Sequence, residues 1–251
     1  MGVTRVIIQE DVTRDGDVIT VTETLSENTN IRPLGGDFRV GDRVTAPRRL
    51  SAQDVALLAA MNIPEVRVSR APIVALIATG DELVMPGETP GPSQIIASNS
   101  FGLAAMIEEA GGIARMLPIA PDNETALRAT FELAQGADVI VTIGGASVGD
   151  HDLVGKVAAD MGLDRAFYKV AMRPGKPLMA GQLQGAVMIG LPGNPVSSLV
   201  TAKLFLIPAL HALQGLPAAP APRHKAPLLQ GISANGPRAH YMRARLETGG
   251  V

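Results

Sequence analysis

The sequence contains no cysteine and no tryptophan among its 251 residues. Without cysteine, the chain has no disulfide bonds, no thiolate metal ligands and no cysteine nucleophile. Aromatic residues make up only 3% of the chain. Its core must therefore consist of valine, isoleucine, leucine, alanine and methionine, which is typical of buried parallel strands covered by helices on both faces.

The sequence also lacks a large net charge and a long apolar run. Its formal net charge is −2, which gives no support for nucleic-acid binding. No uninterrupted run reaches the roughly 18 apolar residues of a membrane span, and we find no apolar signal segment. We therefore expect a folded cytoplasmic protein with neither nucleic acid nor membrane as a partner.

Three segments differ in their residue patterns. Residues 1–70 combine a strand-like alternation at 17–24, a helix starting at Ser51 and a second alternation at 65–69, which together predict a small β-rich segment. Residues 71–215 alternate strands with helices, which predicts an α/β fold with a doubly wound, mostly parallel sheet. Residues 216–251 begin as a linker rich in proline and alanine and are too short for a domain.

Four loops rich in glycine, proline and polar residues follow predicted strands of this sheet. Ligands of open α/β sheets bind beyond the carboxyl ends of the strands, so the loops predict one shared site. The loops span residues 79–82, 144–152, 173–177 and 191–197.

Three features of these loops favour an anionic ligand. Glycines at 144, 145 and 149 let backbone N–H groups approach a phosphate, although a tight turn without a ligand fits the same pattern. Arg173 and Lys176 supply two cations beside a rigid turn. Asn194 is a natural helix N-cap, and the N-terminus of a helix attracts anions.

Clustered carboxylates predict a divalent ion in the same region. Asp152 follows the glycine-rich loop, and Glu82 lies one loop away. Such carboxylates bind Mg²⁺ when it also bridges phosphate oxygens. Capping of the following helix is a second interpretation of Asp152 and is compatible with the first.

Taken in order, these motifs resemble the MoeA family, which includes the gephyrin E domain and the plant Cnx E domain. The resemblance extends upstream to residues 30–37 and downstream to residues 236–243, where the family's C-terminal β domain begins. The motifs that carry it are Thr79-Gly80-Asp81-Glu82-Leu83, Ser98-Asn99-Ser100, Pro121-Asp122-Asn123, Gly144-Gly145-Ala146-Ser147-Val148-Gly149-Asp150-His151-Asp152, Arg173-Pro174-Gly175-Lys176-Pro177 and Leu191-Pro192-Gly193-Asn194-Pro195-Val196-Ser197.

The resemblance implies a molybdopterin molybdotransferase. Members of the family insert molybdenum from molybdate into adenylylated molybdopterin (molybdopterin-AMP) and release AMP with the help of a divalent cation such as Mg²⁺. By position, the catalytic residues would be Glu82, Asp122, Asp152 and Lys176, with Glu82 and Asp152 as metal ligands. The substrate-binding residues would be Thr79, Gly80, Asp81, Asn99, Gly144, Gly145, Ser147, Gly149, Arg173, Pro177, Pro192, Gly193, Asn194 and Ser197.

Two departures from the family pattern affect these expectations. Arg173 stands where many members have lysine, which replaces a point charge by a planar fork. Parts of the family's N-terminal and C-terminal regions have no counterpart here, so we expect a truncated chain and a homodimer only in the full-length protein. A related molybdopterin adenylyltransferase of the MogA type and a catalytically incomplete pterin-binding or scaffold fragment remain as alternatives.

Overall fold

A computed structural model describes residues 2–21, 27–145, 152–220 and 222–250. It contains two compact units, Met1–Val66 and Arg67–Val251. The sequence places domain boundaries at residues 70 and 215, and both boundaries stay predictions.

In its described residues, the first unit contains a 3₁₀ turn at Gln9–Asp11, a short hairpin and one α-helix. Strands β1 (Val12–Asp15) and β2 (Val18–Val21) pair antiparallel, and helix α1 spans Ala52–Ala60. The Ser51 side chain accepts the Asp54 N–H at 3.2 Å, and the Asp54 carboxylate accepts the Ser51 N–H at 2.8 Å. This reciprocal capping confirms the predicted start of the helix.

The strand predicted at residues 65–69 is wrong. Its residues are described, but none belongs to a strand. Val66 and Val68 are 45% and 74% exposed, so the alternating pattern buries neither side chain. An alternation stabilises a strand only when a neighbouring strand and a buried face are available, and here neither is present in the described part of the chain.

The second unit alternates strands and helices. Its strands are β3 (Ile73–Ala78), β4 (Leu83–Val84), β5 (Ile95–Ile96), β6 (Ile113–Met116), β7 (Val139–Ile143), β8 (Asp164–Tyr168), β9 (Met172–Arg173), β10 (Met179–Leu183), β11 (Ala186–Leu191) and β12 (Ala239–His240). Its helices are α2 (Asn99–Glu109), α3 (Glu124–Leu133), α4 (Leu153–Asp160), α5 (Pro195–Thr201) and α6 (Ile207–Leu213), with a π-helical turn, Ala202–Leu206, joining the last two.

Six of these strands form one sheet in the order β6-β3-β7-β11-β10-β8. The first four run parallel, whereas β10 runs antiparallel to both of its neighbours. The β10–β11 hairpin turns at Gln184 and Gly185, which both have positive φ, as expected for a two-residue hairpin turn. The mostly parallel α/β sheet predicted from the sequence is confirmed.

Helices cover both faces of the sheet. On one face, β7 residues Val139 and Val141 pack in a cluster with helical residues such as Leu103 and Leu206. On the other face, Ile140 of the same strand packs in a cluster that includes residues of α3 and α4. Burial on both faces explains why β7 is a continuous apolar run rather than an alternating one.

The helical stretch Pro195–Leu213 has a mean hydropathy of 1.6 and, by length and composition alone, is long enough to cross a membrane. The fold supplies another reason for its apolar character. Ala202, Leu206 and Leu210 are completely buried in the first of the two core clusters. The stretch therefore packs as a core helix of this sheet.

Candidate functional site

The carboxyl ends of β3, β7 and β11 are joined by backbone hydrogen bonds. Thr79 N–H donates to Ile143 O at 3.1 Å, and Gly144 N–H donates to Leu191 O at 3.1 Å. A Cβ atom added at Gly193 would lie 3.4 Å from Gly144 Cα. The structure thus brings together three of the four loops that the sequence assigned to one site.

A pocket of about 540 Å³ opens at this junction. Its size suits a small-molecule ligand. Its lining comes from the ends of β3 and β7, the pair β4–β5 and the starts of α2 and α5. The lining residues are Ala78, Thr79, Gly80, Glu82, Leu83, Ile95, Ile96, Ala97, Ser98, Asn99, Ser100, Asp122, Ile143, Gly144, Gly145, Gly193, Asn194 and Pro195.

Gly80 allows the Glu82 carboxylate to fold back against the main chain. Gly80 has a φ of 143°, and the space that its Cβ would occupy is taken by the carboxylate of Glu82. A non-glycine residue would be strained at this φ and would also displace that carboxylate. The position of Glu82 therefore depends on the glycine two residues before it.

Carboxylates give one side of the pocket an excess of negative charge. Asp122 N–H donates to Asp81 Oδ1 at 3.0 Å, which joins the loops after β3 and β6. Much of Asp122 is exposed, yet the partial burial of its carboxyl group raises its pKa, and the negative charges of Asp81 and Glu82 raise it further. These side chains are suited to hold a cation or to accept ligand N–H groups.

Helix starts form another side of the pocket. The Asn99 side-chain N–H donates to Gly193 O at 2.7 Å, which ties the start of α2 to the turn before α5. Asn194 caps α5 by accepting the Ser197 N–H at 3.2 Å. Ser197 is itself buried, with its hydroxyl 3.4 Å from the Asn194 side-chain oxygen. Neither Ser197 nor Pro192 lines the pocket.

Asp152 lies outside this pocket and caps α4 by accepting the Gly155 N–H at 2.9 Å. Burial raises the pKa of Tyr168, and the negative charge of Asp152 raises it further. Among the described residues, no group of three or more histidines and carboxylates could hold a metal ion. The pairing of Glu82 with Asp152 around Mg²⁺ stays a prediction. Ser147 and Gly149 lie outside the described residues.

The fourth predicted loop lines a different cavity, because β9 pairs with β12 rather than with the main sheet. Ala239 N–H donates to Ala171 O at 2.9 Å, and Tyr241 N–H donates to Arg173 O at 2.7 Å. This pairing creates a groove of about 670 Å³. Its lining residues are Arg173, Pro174, Val196, His240, Tyr241, Met242, Arg243, Ala244 and Arg245.

In the described part of the chain the fourth loop thus lines the groove rather than the pocket, and a single site shared by all four loops stays a prediction. Lys176 and Pro177 line neither the pocket nor the groove. Lys176 is exposed, and its backbone carbonyl accepts the Val170 N–H at 3.0 Å. Arg243 and Arg245, which also line the groove, are not among the site residues predicted from the sequence. The charge of the C-terminal segment could have indicated them, because the residues after 216 include five arginines and lysines but only one acidic residue, Glu247.

The described residues define an α/β protein with a pocket at the carboxyl edge of its sheet. Residues 75–212 match the model of a family described as the probable molybdopterin binding domain. The chain belongs to this family.

Relatives with curated names extend the match beyond that domain. The chain is 39% identical to a molybdopterin molybdenumtransferase of Haemophilus influenzae over 217 residues, covering 85% of the chain and 54% of the relative. It is 36% identical to one of Nostoc over 216 residues, covering 84% of the chain and 50% of the relative. The chain thus spans about half the length of these relatives.

A solved structure supports the same relationship. The crystal structure of a molybdopterin biosynthesis MoeA protein from Pyrococcus horikoshii superimposes with a TM-score of 0.65 at 33% sequence identity. The superposition covers 84% of this chain and 53% of that one. The α/β fold with its mostly parallel sheet is therefore shared with a MoeA protein.

Proposed function

We propose that the chain is the substrate-binding part of a molybdopterin molybdotransferase, which inserts molybdenum from molybdate into molybdopterin-AMP and releases AMP. One observation carries the proposal. Consecutive residues at the start of α5 line different cavities, with Pro195 in the pocket and Val196 in the groove. Two ligands bound there would lie side by side, as a transfer between them requires.

The pocket suits the phosphate-bearing pterin ligand. Gly144 and Gly145 present main chain rather than side chains to the pocket, and Asn194 marks the start of a helix. Backbone N–H groups and a helix N-terminus stabilise phosphate charge without a cationic side chain. We assign the pyrophosphate of molybdopterin-AMP to this side of the pocket.

The groove suits molybdate, which is a small oxyanion. Arg173, Arg243 and Arg245 all line it, together with His240. A guanidinium group binds an oxyanion through paired N–H donors, so arginine at position 173 in place of lysine preserves the charge and offers two donors in a fixed plane. These groove residues at 240–245 lie beyond the matched domain and favour the transferase over an adenylyltransferase consisting of that domain alone.

The residues of the pocket also fit Mg²⁺. The ion is usually held by one or two carboxylates together with substrate phosphates and water, so a cluster of three protein ligands is not required. Glu82 lines the pocket and can supply such a carboxylate to the ion. When bound, Mg²⁺ would neutralise phosphate charge during AMP release. The roles of Asp152 and Lys176, the homodimer and the cytoplasmic location stay predictions.

Simultaneous binding of the two substrates tests this function. We expect the chain to bind molybdopterin-AMP and molybdate without competition, because separate cavities receive them. Isothermal titration with molybdopterin-AMP, with and without saturating molybdate, measures this directly. At about 100 times its Kd, either ligand should stabilise the fold by roughly 2.7 kcal/mol.

A control variant and two outcomes make the test decisive. Arg128→Ala removes an exposed arginine of α3 that lines neither cavity, so both affinities should stay unchanged. Full competition between the ligands would contradict two separate sites. Failure of both ligands to bind would contradict the function itself.

A further inference from the structure

A short parallel strand pair forms one wall of the pocket. Ile95 N–H donates to Glu82 O at 2.7 Å, and Ala97 N–H donates to Val84 O at 2.9 Å. These bonds hold β4 and β5 together within the single connection between β3 and α2. The chain therefore fixes two neighbouring isoleucines, Ile95 and Ile96, at the edge of the cavity.

Both isoleucines are exposed although they line a pocket. Ile95 is 58% exposed and Ile96 is 37% exposed. An apolar surface at the mouth of a cavity is stabilised when a ligand covers it. Leu83 and Ala97 extend the same wall, whereas Asn99 and the two glycines after β7 belong to its polar surroundings. The pocket thus offers one apolar wall to a ligand whose phosphate lies elsewhere.

We infer that Ile95 and Ile96 bind the face of the pterin ring and so determine which ring-bearing phosphate the pocket accepts. This inference rests on the proposed function and adds a ring-recognising wall to it. A pterin is a flat bicyclic ring with two apolar faces, and the two isoleucines supply an apolar surface against one of them.

The polar side chains of the pocket distinguish a pterin from the adenine of AMP. Asp122 lines the same cavity, and an ionised carboxylate only accepts hydrogen bonds. The 2-amino-4-oxo edge of a pterin carries two adjacent N–H donors, from its amino group and its ring nitrogen. Adenine presents one donor beside one acceptor, so a carboxylate satisfies only half of that edge. The chemistry of the wall and its neighbours therefore favours the pterin.

Three phosphate probes separate ring binding from phosphate binding. Neopterin monophosphate carries a pterin, AMP carries adenine, and glycerol phosphate carries no ring. Isothermal titration of the whole chain should give a lower Kd for neopterin monophosphate than for the other two probes. Ile95→Ala should raise the Kd of neopterin monophosphate about tenfold and leave that of glycerol phosphate unchanged, because only the ring loses its apolar contact.

Matched variants guard against an effect on folding. Ile95→Leu restores apolar area and should recover most of the affinity for neopterin monophosphate. Ile113→Ala removes an isoleucine that is 52% exposed and lies outside the pocket. The Kd of this variant for neopterin monophosphate should therefore equal that of the unchanged chain. Ile96→Ala provides a second, independent test of the same wall.

The outcomes distinguish this inference from the function on which it rests. If glycerol phosphate binds as tightly as neopterin monophosphate, or if Ile95→Ala and Ile96→Ala leave the pterin preference intact, the inferred wall is wrong and the proposed function stands. A dependence on Ile95 seen only with AMP would overturn the assignment to the pterin. If none of the three phosphates binds, both proposals fail.

Discussion

The pocket and the groove are neighbouring cavities built in opposite ways. Hydrogen bonds between the ends of long, buried strands fix the pocket, and glycine main chain forms part of its surface. The groove depends on the two-residue pair β9–β12 and on long, exposed arginine side chains. The pocket is therefore organised before a ligand arrives, whereas the cations of the groove lose conformational freedom on binding.

Their charges differ as well. Carboxylates from the loops after β3 and β6 make one side of the pocket acidic, while arginines make the groove basic. A phosphate in the pocket would be stabilised by backbone N–H groups, and an oxyanion in the groove by side-chain charge. The two proposed anionic substrates would therefore depend on different parts of the sequence, so single substitutions should affect their binding separately.

Removing groove cations should have the largest effect. We expect Arg173→Ala and Arg243→Ala each to weaken molybdate binding by about 1.5–3 kcal/mol, because each removes a charged hydrogen-bond donor. The affinity for neopterin monophosphate should stay unchanged, since neither residue lines the pocket. Titration calorimetry with molybdate and neopterin monophosphate measures both constants.

A variant that loses an arginine outside the groove is the control for these two substitutions. Arg128→Ala removes a positive charge from the same unit without touching the groove. An equal loss of molybdate affinity in Arg128→Ala would indicate a general effect of net charge. A parallel loss of pterin affinity in Arg173→Ala would mean that the two cavities act as one.

Changing the rigid main chain of the pocket should have the next largest effect. Gly80→Ala should lower the free energy of unfolding by about 1–3 kcal/mol, because its φ of 143° disfavours a side chain and the Glu82 carboxylate fills the space. Urea denaturation followed by circular dichroism measures the difference.

Gly87→Ala is the matched control for this change. Gly87 also has a positive φ, 96°, but a Cβ there would meet no atom within 4 Å. Both variants strain the backbone, whereas only Gly80→Ala also displaces the Glu82 carboxylate, so Gly80→Ala should be the more destabilised of the two. Equal destabilisation in both would show that the Glu82 carboxylate moves aside at little cost in stability.

Features set by neighbouring residues were predictable from the sequence. Helix caps are an example, since Ser51, Asn194 and Asp152 each cap the helix that follows within a few residues. The parallel sheet could be predicted equally well, because its strands are apolar runs separated by helices. The convergence of the loops after β3, β7 and β11 then followed from the general geometry of such sheets.

Features set by distant pairing were not predictable. Arg173 lines the groove rather than the main pocket because β9 pairs with β12, which is far away in the sequence and only two residues long. A strand of two residues is too short to show an alternation of apolar and polar residues in the sequence. The wall formed by Ile95 and Ile96 was missed for the same reason, since β4 and β5 also have two residues each.

The smallest predicted effect concerns pH and anion binding in the pocket. Partial burial and the charges of Asp81 and Glu82 raise the pKa of Asp122. An ordinary aspartate has a pKa of about 4, so the carboxyl group of Asp122 becomes negatively charged only at a higher pH. Sulfate is a useful probe because it keeps its charge over this range. Sulfate binding in the pocket should weaken by about two- to fivefold as pH rises through the raised pKa of Asp122, because the new charge repels the anion.

Asp122→Asn tests this effect, and it should change anion binding in the pocket but not in the groove. The variant should lose the part of the pH dependence that Asp122 contributes, and its molybdate affinity at neutral pH should match that of the unchanged chain. The same group affects folding: a raised pKa in the folded state favours folding below the ordinary aspartate range, and this contribution is lost as pH rises through the folded-state value. Asp122→Asn should therefore unfold at a slightly higher urea concentration at neutral pH. If sulfate binding depends on pH identically in both proteins, Asp122 does not face the bound anion, and the acidic side of the pocket must be separate from the part that binds phosphate.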